Sequence, residues 1–265
     1  NQELLDWLAI EFRDSGWDVK RLVRLMVTSN AYRQSSLPRP EIAAIDPENR
    51  LLARQSRFRL DAEQIRDNAL AVSGLLVMQT GGNVSRPYQP VGYYAALNFP
   101  IRDYEASTDE QQFRRSVYVH WQRQYLHPWL LAFDAPTREE CTAQRPISNT
   151  PSAALVLLND PSFVEAARTL AQRTATTDKA SSDEERLRWA WRLVTGREAK
   201  SEEVAMLTEL LEKHREHYSQ QAEAATSLVS VGMSRRDEKL DPAEQAAWTS
   251  VSRALLNLNE TIFRN

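Results

Sequence analysis

The chain has 265 residues, a net charge of −3, one cysteine and seven glycines. Near-neutrality removes the basic field that nucleic acid or an anionic membrane would require. One cysteine excludes an internal disulfide framework, and no apolar run reaches the length of a membrane span. No string in the chain spells a nucleotide loop, a zinc signature or a nucleophile elbow. So few glycines argue against a turn-dense all-β fold. The expectation is a mainly α multi-helix array with one small β element and a long aromatic-rich loop region.

Residues 3–12 and 19–27 carry Leu4, Leu5, Leu8 and Phe12, then Val19, Leu22, Val23 and Met26, at helical spacing. Gly16 between them predicts a helical hairpin. The pattern opens inside a helix with no cap before it, so further sequence is expected upstream of Asn1. Residues 37–40 read as a linker, and Asp46-Pro47 as the cap of a short helix reaching Arg54. Asp61 and Gln64 form a capping box for a helix with the stripe Ile65, Ala69, Val72 and Leu76, ending at Gly81-Gly82. Arg50, Arg54, Arg57, Arg59 and Arg66 read either as an oxyanion-binding face or as an internally paired surface.

The character then changes. Residues 88–133 hold eleven of the twenty-two aromatic side chains. Pro87, Pro90 and Pro100 make residues 83–112 mostly loop, and the alternation of Val117, Val119 and Trp121 with Tyr118, His120 and Gln122 predicts a strand over 116–122. Exposed rings beside hydrogen-bonding groups suit a sugar, which stacks its apolar face and bonds its hydroxyls. Tyr93, Tyr94, Tyr104, His120, Trp121 and Trp129 are the candidates, against the alternative that they form a satellite core for the loop.

Residues 133–161 concentrate the remaining chemistry. Thr137 and Glu140 read as a capping box, so a short helix from Arg138 to Pro146 would place Arg138, Cys141 and Arg145 on one face. Two guanidiniums would favour the thiolate of Cys141; the plainer alternative is a buried cysteine filler. Thr150-Pro151 and Asp160-Pro161 each read as a cap followed by proline at the first helical position, framing a buried helix over 152–158. Beyond Pro161 the pattern is helical throughout, with a Ser182/Glu185 capping box, a stop at Gly196, and a last helix striped by Trp248, Val251, Leu255, Leu258 and Ile262. His214 and His217 stand three apart without a third ligand, so structural roles and no metal site are expected.

The strings LLDWLA with VTSNAYRQSS, DPENRLLAR with RFRLDAEQIRDNALAVSGLL, RRSVYVHW, FDAPTREECTAQRPISNTPSAALVLLNDP and NLNETIFRN together resemble the domain of unknown function at the C-terminal end of planctomycete cytochrome-c-like multidomain proteins. Two positions depart from it: Asn1-Gln2 stands where that family usually reads His-Pro, and Gln144 where a second arginine is common. The resemblance implies an exported protein, periplasmic or at the cell surface. It also implies that haem c, when present, sits in a separate upstream domain; this chain has no CxxCH and cannot attach haem by itself, so no cofactor is expected in it.

The organisation expected is one helical domain, present as its C-terminal portion, with helices over 1–78, an aromatic insert over 79–135 and helices over 136–265. The leading functional expectation is a module that binds or helps process polysaccharide. Asp134, Glu140 and His120 would move protons. Arg138, Arg145, Trp121, Tyr93, Tyr94, Trp129 and Asn149 would contact substrate, and Cys141 is the candidate reactive thiol. The alternative is a non-catalytic domain that docks onto upstream or redox domains of the same polypeptide through an exposed apolar stripe.

Overall fold

The computed structural model describes residues 1–96 and 103–264. The chain divides into two compact units, Asn1–Arg59 with Phe263–Asn265, and Leu60–Ile262.

In the first unit, Asn1 caps α1 (Gln2–Asp14) by accepting the Leu4 N–H, and Asp18 caps α2 (Val19–Thr28) through the Arg21 N–H. Gly16 and Trp17, at φ 76° and 63°, turn the chain between them. The expected hairpin forms, tied by Arg21 to Glu11 at 2.6 Å and by an edge contact of Phe12 with Trp17. Helix α3 (Pro40–Ile45) starts within the expected linker. Asp46 does not open a helix to Arg54. It ends α3 and accepts the N–H groups of Arg50 and Leu51 at 2.8 and 2.7 Å, which spends the capping oxygens on a turn. Strand β1 (Phe58–Arg59) pairs antiparallel with β2 (Phe263–Arg264).

That pair is the small β element, and it lies away from the segment where alternation predicted one. Residues 116–118 form a 3-10 turn instead, and Val119 makes only an isolated bridge to Ser85. Alternation of side chains needs a neighbouring strand to become a ladder, and residues 83–86 supply a single rung.

The second unit holds the core. Its first helix, α4 (Ala62–Ser73), begins at the expected Asp61/Gln64 capping box and buries Ile65, Ala69, Leu70 and Val72. It stops at Gly74, which takes the left-handed conformation at φ 84°, well before Gly81-Gly82. The loop region follows. Beyond the short α5 (Pro128–Ala132) come α6 (Pro151–Asn159) and α7 (Pro161–Thr176), each with proline in its first turn and capped by Thr150 and Asp160 as the sequence predicts. Helix α6 buries only Ala153 and Leu157, leaving Leu155 at 58% exposure, so it is a half-covered helix and not the buried one expected.

Helix α7 is the central rod. Phe163, Val164, Ala166, Ala167, Leu170 and Ala171 are all buried, because α4, α6 and further helices pack round it. The further helices on it are α8 (Asp183–Thr195) and α11 (Pro242–Leu256), and α9 (Ser201–Gln220), α10 (Ala222–Val229) and α12 (Asn259–Ile262) pack in turn on α11. Ser182 and Glu185 complete their capping box at the start of α8, and Gly196 ends it at φ 77°. Helix α11 contributes Trp248, Val251 and Leu255 to the core and packs on α7, α9 and α10. No helix is long and apolar enough to cross a membrane among the described residues.

Candidate functional site

The aromatic stretch is loop, as expected, apart from 3-10 turns at Tyr93–Ala96 and Glu110–Phe113; residues 97–102 of it lie outside the described residues. Its rings mostly face one another. Tyr94 meets Tyr104 at 5.5 Å between centroids, and Tyr93 meets both Tyr94 and Tyr125 at 6.0 Å. The phenol groups are spent internally: Tyr93 donates to the Leu126 carbonyl at 2.8 Å and Tyr104 to that of Pro87 at 2.6 Å. Tyr94 is buried and Trp129 is 0% exposed, so neither offers a face to a ligand. Burial also holds His127 neutral, lowering its pKa to about 4 despite a 2.5 Å hydrogen bond to the Tyr88 carbonyl.

The loop after α5 differs from the sequence expectation. No helix forms over 138–145. Arg138 takes φ 63°, and Thr137 accepts only a long 3.4 Å bond from the Glu139 N–H. A capping box stabilises a helix that also buries a stripe, and TREECTAQR has none to bury. Arg138, Cys141 and Arg145 therefore do not share a helix face. Cys141 is exposed and is not a core filler. Arg145 makes a forked pair with Glu63 at 2.7 and 3.1 Å, with Asp61 at 3.7 Å. Burial is the largest influence on the Glu63 carboxyl and would raise it, but the Arg145 hydrogen bonds, a backbone N–H and the charges of Arg145 and Arg138 together outweigh burial and leave the group below its usual range. Asp134, at φ 57°, accepts both the N–H and the hydroxyl of Ser148 at 2.8 and 2.7 Å. Glu140 and Asn149 lie exposed on the loop.

What the structure does bring together is Trp121 and Arg138. The guanidinium carbon sits 3.7 Å above the indole, a cation–π contact. Trp121 lines an open cleft of about 480 Å³ with His120, Gln122, Arg123, Gln124 and Glu139. The glutamate lining it is thus Glu139, next to the expected Glu140. Among the described residues, no group of three or more His, Cys, Asp or Glu side chains is arranged for a metal. His214 stacks on Tyr218 and His217 meets the same ring edge-on.

Sequence reasoning missed the buried polar groups. Arg66, read as part of a surface set, is 1% exposed and donates to the carbonyls of Arg114 and Gln112 at 3.0 and 2.5 Å. Glu165, also fully buried, accepts the Tyr88 hydroxyl at 2.9 Å and the Ser234 N–H at 2.5 Å, with Arg168 at 3.8 Å. The Tyr88 hydroxyl in turn accepts the Met233 N–H at 2.9 Å. The sequence signal was a Glu and an Arg three apart among the buried positions Phe163, Val164, Ala166 and Ala167 of α7. An ion pair inside a core stripe is a node, not a surface pair.

The fold and clefts thus define a mainly helical chain with a looped aromatic insert and, among the described residues, no cluster of side chains arranged for a metal. The chain belongs to PSD1, a protein family of unknown function (DUF1553), whose model matches residues 1–211. No curated protein and no solved structure matches it.

Proposed function

We propose that the chain is an interaction domain whose α1–α2 hairpin docks onto upstream domains of the same polypeptide. One observation carries this reading. Neither helix has a buried residue, yet Leu5, Trp7, Ile10, Trp17, Val19 and Val23 are between 46% and 67% exposed. Soluble surfaces rarely leave two adjacent helices so apolar unless a partner covers them. The rim is charged with both signs, Glu3, Asp6, Glu11 and Asp14 on α1 against Lys20, Arg21 and Arg24 on α2. That suits a folded protein surface better than an anionic bilayer. The family resemblance supports upstream domains as the occupant, along with export and a haem-bearing neighbour.

Hydrogen exchange of the full-length polypeptide tests it. Protection of residues 4–27 should exceed that in the isolated chain and be lost in a Trp7→Asp, Val23→Asp variant. Equal exchange of the hairpin in both contexts would refute docking.

A second reading, polysaccharide binding, is favoured by the Trp121–Arg138 stack beside its open cleft of amides and charges. Proton transfer by His120, with Asp134 and Glu140, belongs to this reading. A glycan array probed with the full-length protein and with Trp121→Ala decides it: binding that survives the substitution, or no binding, removes the cleft from consideration.

A further inference from the structure

A second cleft, of about 660 Å³, opens between residues 82–86 and 105–111, within the ~300–1,000 Å³ of small-molecule sites. Its walls come from loops with no core of their own, and one buried side chain holds both. Arg114 is 0% exposed, stacks 4.0 Å over Tyr118 and donates to the carbonyls of Gly81 and Asn83 on one wall. The same guanidinium donates to the Gln111 side-chain oxygen on the other wall at 3.1 Å.

Two further sets of bonds fix the geometry. The Gly81 N–H donates to the Tyr118 hydroxyl at 3.0 Å, which sets the glycine turn. The Ser107 N–H donates to the Arg86 carbonyl at 2.9 Å and the Arg86 N–H to the Ser107 hydroxyl at 3.1 Å, so the walls are stitched at their base. Desolvating a guanidinium is costly. Here its hydrogen bonds go to positioning two solvent-facing loops, and loops held rigid from behind are what a preformed binding surface needs.

The lining decides the ligand class. Asn83, Arg86, Glu105, Thr108, Asp109 and Gln111 offer donors and acceptors in mixture, and Val84 and Ala106 are the apolar side chains. Among the described residues no aromatic ring lines it, so a flat apolar ligand gains little there. Among the described lining residues two carboxylates stand against one guanidinium, a net negative balance that repels polyanions. Hydroxyl groups, which donate to carboxylates and accept from guanidinium and amide, satisfy every group present. We propose that this cleft binds a neutral polyhydroxylated ligand, the size of a short oligosaccharide, independently of the Trp121 cleft and of hairpin docking.

The test is an amide ¹H–¹⁵N titration of the whole chain with neutral gluco-, manno-, galacto- and N-acetylgluco-trisaccharides, and with trigalacturonate as the anionic comparator. Saturable shifts at residues 83, 86, 107 and 108 with at least one neutral sugar, absent with the anionic one, are expected. Glu105→Gln should weaken that binding about tenfold while leaving the remaining spectrum in place, as expected for loss of one hydrogen bond to a charged acceptor. No saturable shift with any neutral sugar, an equal response to trigalacturonate, shifts confined to residues 120–124, or an unaffected Glu105→Gln variant would each overturn the proposal.

Discussion

Gly232→Ala tests the buried carboxylate node most directly. Gly232 sits at φ +90°, and a Cβ added there would lie 2.2 Å from the Glu165 carboxyl carbon. The left-handed backbone costs an alanine about 1 kcal/mol. The clash costs more, because Glu165 cannot swing aside: the Tyr88 hydroxyl and the Ser234 N–H hold its two oxygens at 2.9 and 2.5 Å. Breaking one or both of these leaves a buried charge short of partners, at roughly 1.5–3 kcal/mol each. The expected loss is therefore about 2.5–7 kcal/mol, read as the shift in urea midpoint by far-UV circular dichroism. Gly196→Ala is the control. Gly196 has a similar φ of +77° with nothing within 4 Å, so it should lose only about 1 kcal/mol. Equal losses for the two variants would show that the contact with Glu165 contributes nothing.

Three further outcomes are expected. His127 is buried neutral with its pKa lowered to about 4, whereas the unfolded chain takes up the proton near 6.5. Its contribution is thus full above pH 6.5 and lost as pH falls to 4, up to about 3 kcal/mol. Urea midpoints against pH should show this slope, flattened in His127→Gln; an unchanged slope refutes the assignment. Arg145→Ala should cost about 1–3 kcal/mol and raise the Glu63 carboxyl pKa in a ¹³C titration, since the largest influence opposing burial would be gone; a fixed Glu63 titration would show that Arg145 is incidental. Cys141, being exposed, should react with a thiol reagent promptly and completely in native buffer. Labelling that waits for denaturant would place the thiol inside.

Helix starts were the most legible part of the sequence. The pairs Asp61/Gln64 and Ser182/Glu185 and the caps Thr150 and Asp160 all open helices, because each precedes residues that bury an apolar face. Thr137/Glu140 shows the converse: the same local chemistry, with no stripe behind it, yields an irregular loop. The Ser116–Gln122 alternation failed for a related reason, since a ladder depends on a partner elsewhere in the chain. The Trp121–Arg138 pairing could be named residue by residue but not placed, because it rests on the fold of two loops. Arg66, Arg114 and Arg168 were hidden most completely. Their partners are largely backbone carbonyls, and backbone carbonyls carry no sequence signature.

The buried node also bears on where this fold ends. The matched family segment stops at residue 211, but Glu165 draws its amide partner from Ser234, and Tyr88 draws one from Met233. Arg253 donates to the Leu158 carbonyl at the end of α6, and Trp248 of α11 lies wholly inside. A chain cut after residue 211 would leave the Glu165 carboxyl without its Ser234 partner and facing an empty groove along α7. The cooperative unit therefore reaches through α11, about 45 residues past the segment matched by the family, and expression designs guided by that match alone should yield material prone to aggregate.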